Sequence, residues 1–379
     1  MYTHPLANWY RSHFESKLHG RYITLTDIAP LLEKLPETFN YKQIGTSVES
    51  RSIHSLTIGN GTKKILMWSQ MHGNESTTTK ALFDLFNFLN DSSEASKNIL
   101  ETCTLCIIPM LNPDGAQAYT RVNANEIDLN RDAKALSQPE SVVLRTIYDE
   151  FQPDYCFNLH GQRTIFSAGN NDKSAILSFL SPSQDAARSI TVNRAKSMEI
   201  IVKMNEMLQK LIPNHVGRYD DGFNINCVGD MFQSFETPTV LFEAGHYPND
   251  YNREKTRELI FYSYIEAINY IVSTEIKGAF TDAYFQIPEN EKQHYDVILR
   301  NVQTEQNETF DLGILYQEVL KNGKIHFEPQ IEDKKLLKKS FAHKIIDFQH
   351  SIAQKHIFQS FSLQNDVVKY LRKFNKIDN

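Results

Sequence analysis

The sequence predicts an α/β fold: a mixed central sheet covered by helices on both faces, with a small C-terminal β-rich appendage. Three observations predict it. Short apolar runs at residues 64–70 (KILMWSQ), 102–110 (TCTLCIIPM), 154–159 (DYCFNL) and 239–242 (TVLF) have the composition of buried strands. The stretches between them repeat apolar residues at helical spacing. Beyond Gly278 the pattern changes to longer strand-like runs.

Taken in order, the first element is a helix, because Ala29, Leu31, Leu32 and Leu35 share one face after the cap candidate Thr26-Asp27. After the first strand, Leu82, Phe83, Leu85, Phe86 and Leu89 line a helix over 80–89. Ser137-x-x-Glu140, with Pro139 in the first turn, has the pattern of a capping box, and Val142, Val143, Ile147 and Phe151 follow as a helical stripe. Residues 193–211 and 254–272 are the remaining long helices. Residues 295–302 (YDVILRNV) form a strand. Asn322-Gly323, between 318–320 and 325–327, marks a hairpin. Residues 341–379 fit helix or strand. The expected division is a catalytic domain over 1–278 and a β-rich domain over 279–379.

A formal net charge of −6 argues against a general nucleic-acid binder. Four cysteines are too few for a disulfide scaffold. Cys103 and Cys106, three apart in a strand, face opposite sides and are expected to be packed core residues. No run approaches the ~18 apolar residues of a membrane span. The first residues lack a basic segment leading into an apolar one, so the expected location is cytoplasmic.

The chemistry gathers at strand ends, where open α/β sheets place their sites. His72 and Glu75 follow the first strand, and His160 follows the third. Any one alone is ordinary surface or capping chemistry. Together, two imidazoles and a carboxylate leave a zinc position open for water, whose pKa the metal lowers to roughly 7. Asn112-Pro113-Asp114-Gly115 forms a turn. Arg121, Asn130 and Arg131 follow it, and the planar arginine fork suits a carboxylate. Glu243 closes an apolar strand. It is either a salt-bridged structural residue or a general base.

This ordered set resembles the zinc carboxypeptidases of the M14 (carboxypeptidase A-like) group, across residues 40–275, in a compact form like the small bacterial members. The resemblance implies one zinc per chain on His72, Glu75 and His160. It implies that Arg121 stabilises the oxyanion, that Asn130 and Arg131 hold the substrate's terminal carboxylate, and that Glu243 is the general base and acid. The implied partner is a peptide or N-acyl amino acid with a free carboxylate, with no nucleic acid and no membrane. Asn74 replaces an arginine of the digestive members, and Gly229 stands near the base of their specificity pocket. Their mobile tyrosine has no clear counterpart: Tyr219 is nearest, while Phe223, almost equally placed, lacks the hydroxyl, and the run Ala244-Gly245-His246 is unlike the digestive enzymes. Alternative functions are an amidase of cell-wall peptides and an N-acyl amino acid deacylase of the succinylglutamate desuccinylase or aspartoacylase type.

Overall fold

Eight strands form the central sheet in a computed structural model, which describes residues 2–303, 309–348 and 363–374. In chain order the strands are β1 (Lys42–Thr46), β2 (Ser52–Ile58), β3 (Lys63–Ser69), β4 (Cys103–Ile108), β5 (Tyr155–Gly161), β6 (Phe166–Ala168), β7 (Leu177–Leu180), β8 (Val216–Arg218), β9 (Thr239–Ala244), β10 (Asn290–Lys292), β11 (His294–Gln303), β12 (Thr309–Lys321), β13 (Lys324–Lys335) and β14 (Phe341–Asp347). The central sheet runs β1-β2-β4-β3-β5-β9-β7-β8. Its middle, β4-β3-β5-β9, is parallel. These are the four apolar runs that the sequence exposes. Being covered on both faces, they have no polar side to alternate.

Two cores lie on the two faces. One packs the helices Thr77–Leu89, Val192–Leu211 and Glu254–Ser273 against Ile65, Met67, Phe157 and Phe242. The other packs the helices Pro139–Phe151 and Val228–Ser234 against Leu66, Trp68 and Cys156. Cys103 belongs to the first core and Cys106 to the second, both as buried free thiols.

A buried ion pair joins two helices of the first core. Arg257 donates from Nε to Asp84 Oδ2 (2.7 Å) and from Nη2 to Oδ1 (2.6 Å), and both side chains are inaccessible to solvent. Asp84 also accepts from the Tyr10 hydroxyl and the Glu15 N–H. Arg257 donates further to the carbonyls of Glu15 and Leu18. The N-terminal segment is thus fastened to the core by charge as well as by Leu18 and Ile23.

Two helix starts differ from expectation. The helix Leu25–Leu32, the first that the sequence predicts but the second in the chain after Ala7–His13, is capped by Thr24, whose backbone N–H and hydroxyl both donate to Asp27 Oδ2 at 2.8 Å. Ser137 caps nothing: its hydroxyl donates to Asp132, and Gln138 holds the cap position. Glu140 turns instead to the Val48 N–H and the Asn123 amide. Tertiary partners outcompete the local box in this case.

The chain forms two compact units. The first is Met1–Gln162 with Ala175–Asn290, and the second is Arg163–Ser174 with the chain from Glu291 onward. Gly278, the boundary expected from sequence, lies inside the first unit. The second unit contains the four-stranded sheet β13-β12-β11-β14. Val367, Tyr370 and Leu371 of the helix Leu363–Phe374 pack on Val297, Leu299, Phe310 and Leu312. The β12–β13 hairpin turns at Asn322 and Gly323, with φ of 51° and 73°. Those two positive values are what the Asn-Gly signal foretells. The ambiguous tail holds both a strand, β14, and that helix, while 349–362 and 375–379 lie outside the described residues. No described helix is long and apolar enough to cross a membrane.

Candidate active site

His72, Glu75 and His160 converge at the carboxyl ends of β3 and β5, with one ligand atom from each lying within 4.8 Å of the others. His72 Nδ1 is 3.0 Å from Glu75 Oε1, His160 Nδ1 is 3.0 Å from Glu75 Oε2, and the two Nδ1 atoms are 3.1 Å apart. Tetrahedral ligands 2.0–2.1 Å from zinc lie about 3.3 Å from one another, so the spacing fits one ion. The donor chemistry agrees. His72 Nε2 is 3.0 Å from Asp128 Oδ1, which holds a proton on that nitrogen and leaves the Nδ1 lone pair facing Glu75. Two lone-pair nitrogens at hydrogen-bond distance, sharing one carboxylate, suit a cation between them.

Electrostatics bear the same mark. Burial works against charge on His72, but the Glu75 carboxylate and the bond to Asp128 outweigh it and raise its pKa. Burial keeps His160 below the ordinary imidazole value. Glu75 is held well below the carboxylate range because the two histidines overcome its desolvation. Its Oε2 also accepts from the Gly161 N–H at 3.0 Å.

The NPDG turn braces the ligand loop. Asn112 Oδ1 accepts from the Gly115 N–H, and its Nδ2 donates to the Met71 carbonyl beside His72. Gly73 and Gly115 meet backbone to backbone: a Cβ on Gly73 would stand 1.9 Å from the Gly115 carbonyl carbon. Asp114 is buried and accepts from the Ser47 hydroxyl, the Glu49 N–H and Arg51.

Glu243 sits beside the cluster by register. β5 and β9 are parallel, and His160 is paired with Glu243, so both side chains leave the same face of neighbouring strands. Glu243 Oε2 is buried without a hydrogen-bond partner. Burial first and Glu75 second push its pKa well above the usual value, against the opposing pull of Arg121 and Arg253. Tyr219 is half-buried, feels the charges of both Glu243 and Glu75, and hydrogen-bonds to the Asn290 side chain. Asn290 bonds in turn to Ser178 and Gln162.

The expected clamp is drawn in less completely. Arg121 reaches the cluster: its Nη1 donates to Glu75 Oε1 (3.4 Å) and its Nε to Asp128 Oδ2 (3.0 Å). Its loop is pinned by Asn74, whose N–H donates to the Thr120 carbonyl, and by the buried Asn123. Asn130 is buried and accepts from the Val228 N–H at 2.9 Å. Arg131 is exposed and donates to the Asn130 carbonyl and to Cys227 Sγ. Among the described contacts, none joins Arg131 to the cluster. Gly229 packs against Pro182, and His246 is buried against the Tyr251 ring. Asp128 opens the segment Asp128-Leu129-Asn130-Arg131 that the sequence marks out, but sequence reasoning gives it no role of its own. Its position two before Asn130, on the same short turn as the clamp, is the signal that was present.

Comparison with known proteins agrees with this geometry. Residues 25–210 match the family model described as zinc carboxypeptidase. The probable carboxypeptidase 2 of Arthroderma benhamiae is 24% identical over 206 residues, covering 53% of this chain and 35% of that protein. The gamma-D-glutamyl-L-diamino acid endopeptidase 1 of Lysinibacillus sphaericus is 34% identical over 98 residues, 22% of this chain and 24% of its own. The chain spans about a third of the length of the first curated relatives it matches. Among solved structures, a metallo-carboxypeptidase from Burkholderia cenocepacia superposes with a TM-score of 0.51 at 17% identity, covering 64% of this chain and 68% of that one. The carboxypeptidase A of Helicoverpa armigera gives 0.52 at 18%, covering 66% and 73%. The family match places residues 25–210 in the zinc carboxypeptidase family, and the solved structures share the fold of its mixed sheet.

Proposed function

We propose that the chain is a zinc-dependent carboxypeptidase that removes the C-terminal residue of a peptide. The observation that carries this is the placement of Glu243, paired in register with His160 beside the His72–Glu75–His160 cluster. His72, Glu75 and His160 would hold the zinc, which when bound would supply Lewis acidity and lower the pKa of its water. Glu243 takes a proton from the attacking water and returns it to the leaving amine as the C–N bond breaks. A carboxylate whose pKa is raised by burial is suited to hold that proton between the two steps. Arg121 offers its guanidinium to the oxyanion of the carbonyl under attack. Asn130 and Arg131 bind the terminal carboxylate, which sets the scissile bond one residue from the chain end.

A peptide library digested by the zinc-loaded chain and read by mass spectrometry tests this. Single C-terminal residues should be lost, and C-terminally amidated peptides should resist. Turnover of N-acyl amino acids alone would replace the proposal with the deacylase reading. The match to the gamma-D-glutamyl-L-diamino acid endopeptidase favours including gamma-D-glutamyl-diamino acid peptides in the library.

Metal binding is testable separately. His72→Ala should reduce zinc from about one per chain to nearly none. Because the pKa of His72 is raised and that of His160 is lowered, the first proton to compete with the ion on acidification is that of His72. Zinc affinity should therefore fall about tenfold per pH unit on acidification below neutrality. A competition titration showing no such slope would contradict the ligand assignment.

A further inference from the structure

We infer that Arg253 is a positioning residue for the reaction: its guanidinium ties the chain just past Glu243 to the chain just past His160, and so sets the base against the metal cluster. The inference rests on the carboxypeptidase reading above. Arg253 is 2% exposed. Its Nη1 donates to the Ala244 carbonyl and its Nη2 to the Gln162 carbonyl at 2.5 Å. Ala244 directly follows Glu243, and Gln162 follows His160 by two residues.

These are the places where the sheet stops holding itself. The pairing of β5 with β9 ends at Gly161 and Ala244, and one further bond, from the Gln162 N–H to the Ala244 carbonyl (2.9 Å), continues it. Beyond that point Gly245 turns to the Ile176 carbonyl. It passes so close that a Cβ would lie 2.1 Å from the Ala175 carbonyl oxygen and 2.4 Å from Gln162 Nε2. Strand ends are where a sheet opens most readily. Arg253 bridges both ends with one rigid planar group.

Its own anchorage is firm. Arg253 immediately precedes the helix Glu254–Ser273, donates its N–H to the Asp250 carbonyl, and accepts from the Arg257 N–H at 2.9 Å. Its φ of 59° lies in the left-handed region, an unfavourable conformation for a residue with a side chain. The planar fork explains why arginine stands there: a lysine ammonium is a single point and cannot present two fixed parallel donors to two carbonyls.

The test compares R253M and R253K with the parent chain, all zinc-loaded, on a peptide that the parent cleaves. A misplacement of about 1 Å costs roughly a hundredfold in rate. R253M should therefore lose about a hundredfold in kcat, with KM within about threefold and zinc near one per chain. Amide hydrogen exchange at Gln162 and Gly245 should quicken while that of Leu66 and Met67 in β3 stays unchanged. R253K should lie between parent and R253M in both readouts. Unchanged exchange at Gln162 and Gly245, or unchanged kcat per zinc-loaded molecule, would overturn the inference. If R253M fails to fold, R253K decides alone by the same two readouts. An inactive parent would sink the carboxypeptidase reading, and the exchange comparison would still decide the tie.

Discussion

Glu243→Gln should lower kcat by about 10²–10⁴-fold, the range that loss of a general base produces, while the chain still binds one zinc. The two halves of this expectation come from different observations. The loss follows from the position of Glu243 on β9 opposite His160, with one carboxylate oxygen that nothing in the protein satisfies. The retained zinc follows from the ligand set, which does not include it. Glutamine keeps the shape and removes the basicity, so KM should change little. The substitution also removes an anion whose pKa is raised partly by its neighbour Glu75, so the variant should be at least as stable as the parent without metal. Steady-state kinetics with metal analysis on the same sample check it. A variant that kept more than a tenth of the parent's kcat would show that another group moves the proton.

Asp84→Ala should destabilise the first unit by about 3–5 kcal/mol, because it strips the buried Arg257 charge of its two-bond carboxylate and leaves it only the longer ion pair with Glu254 at 3.2 Å. Both partners are inaccessible to solvent, so water cannot replace the lost carboxylate. The Tyr10 hydroxyl and the Glu15 N–H lose their acceptor in the same step. The midpoint of urea denaturation, followed by circular dichroism, measures the cost. The double variant Asp84→Ala, Arg257→Met should recover part of it, since it removes the stranded charge. A loss below about 1 kcal/mol in the single variant would mean that the pair behaves like an exposed one.

What could be read from the sequence follows from how each feature is stabilised. β3, β4, β5 and β9 have predominantly apolar stretches because helices cover them on both sides, and such runs stand out. β1, β7 and β8 are short, and together with β2 they flank the parallel middle and contain residues such as Lys42, His54 and Arg218. Their strand character comes from neighbours across the sheet. The mismatched cap at Ser137 has the same origin, because Asp132 lies close enough to take its hydroxyl. The candidate ligands were legible because each sits at the end of such a run. Arg253 was not. It lies ten residues beyond Glu243, and nothing local announces that two carbonyls from distant segments meet its side chain.

The carboxylate of Asp128 has a consequence for how such a site can change. One oxygen faces His72 Nε2 and the other accepts from Arg121 Nε. The imidazole and the guanidinium therefore share a mooring. A loop rearrangement that swung Arg121 outward for a bulkier substrate would drag on the same carboxylate and twist the imidazole. Variants selected for altered substrate range through residues 120–128 should therefore come with weakened metal retention, and a second change near His72 would be needed to restore it.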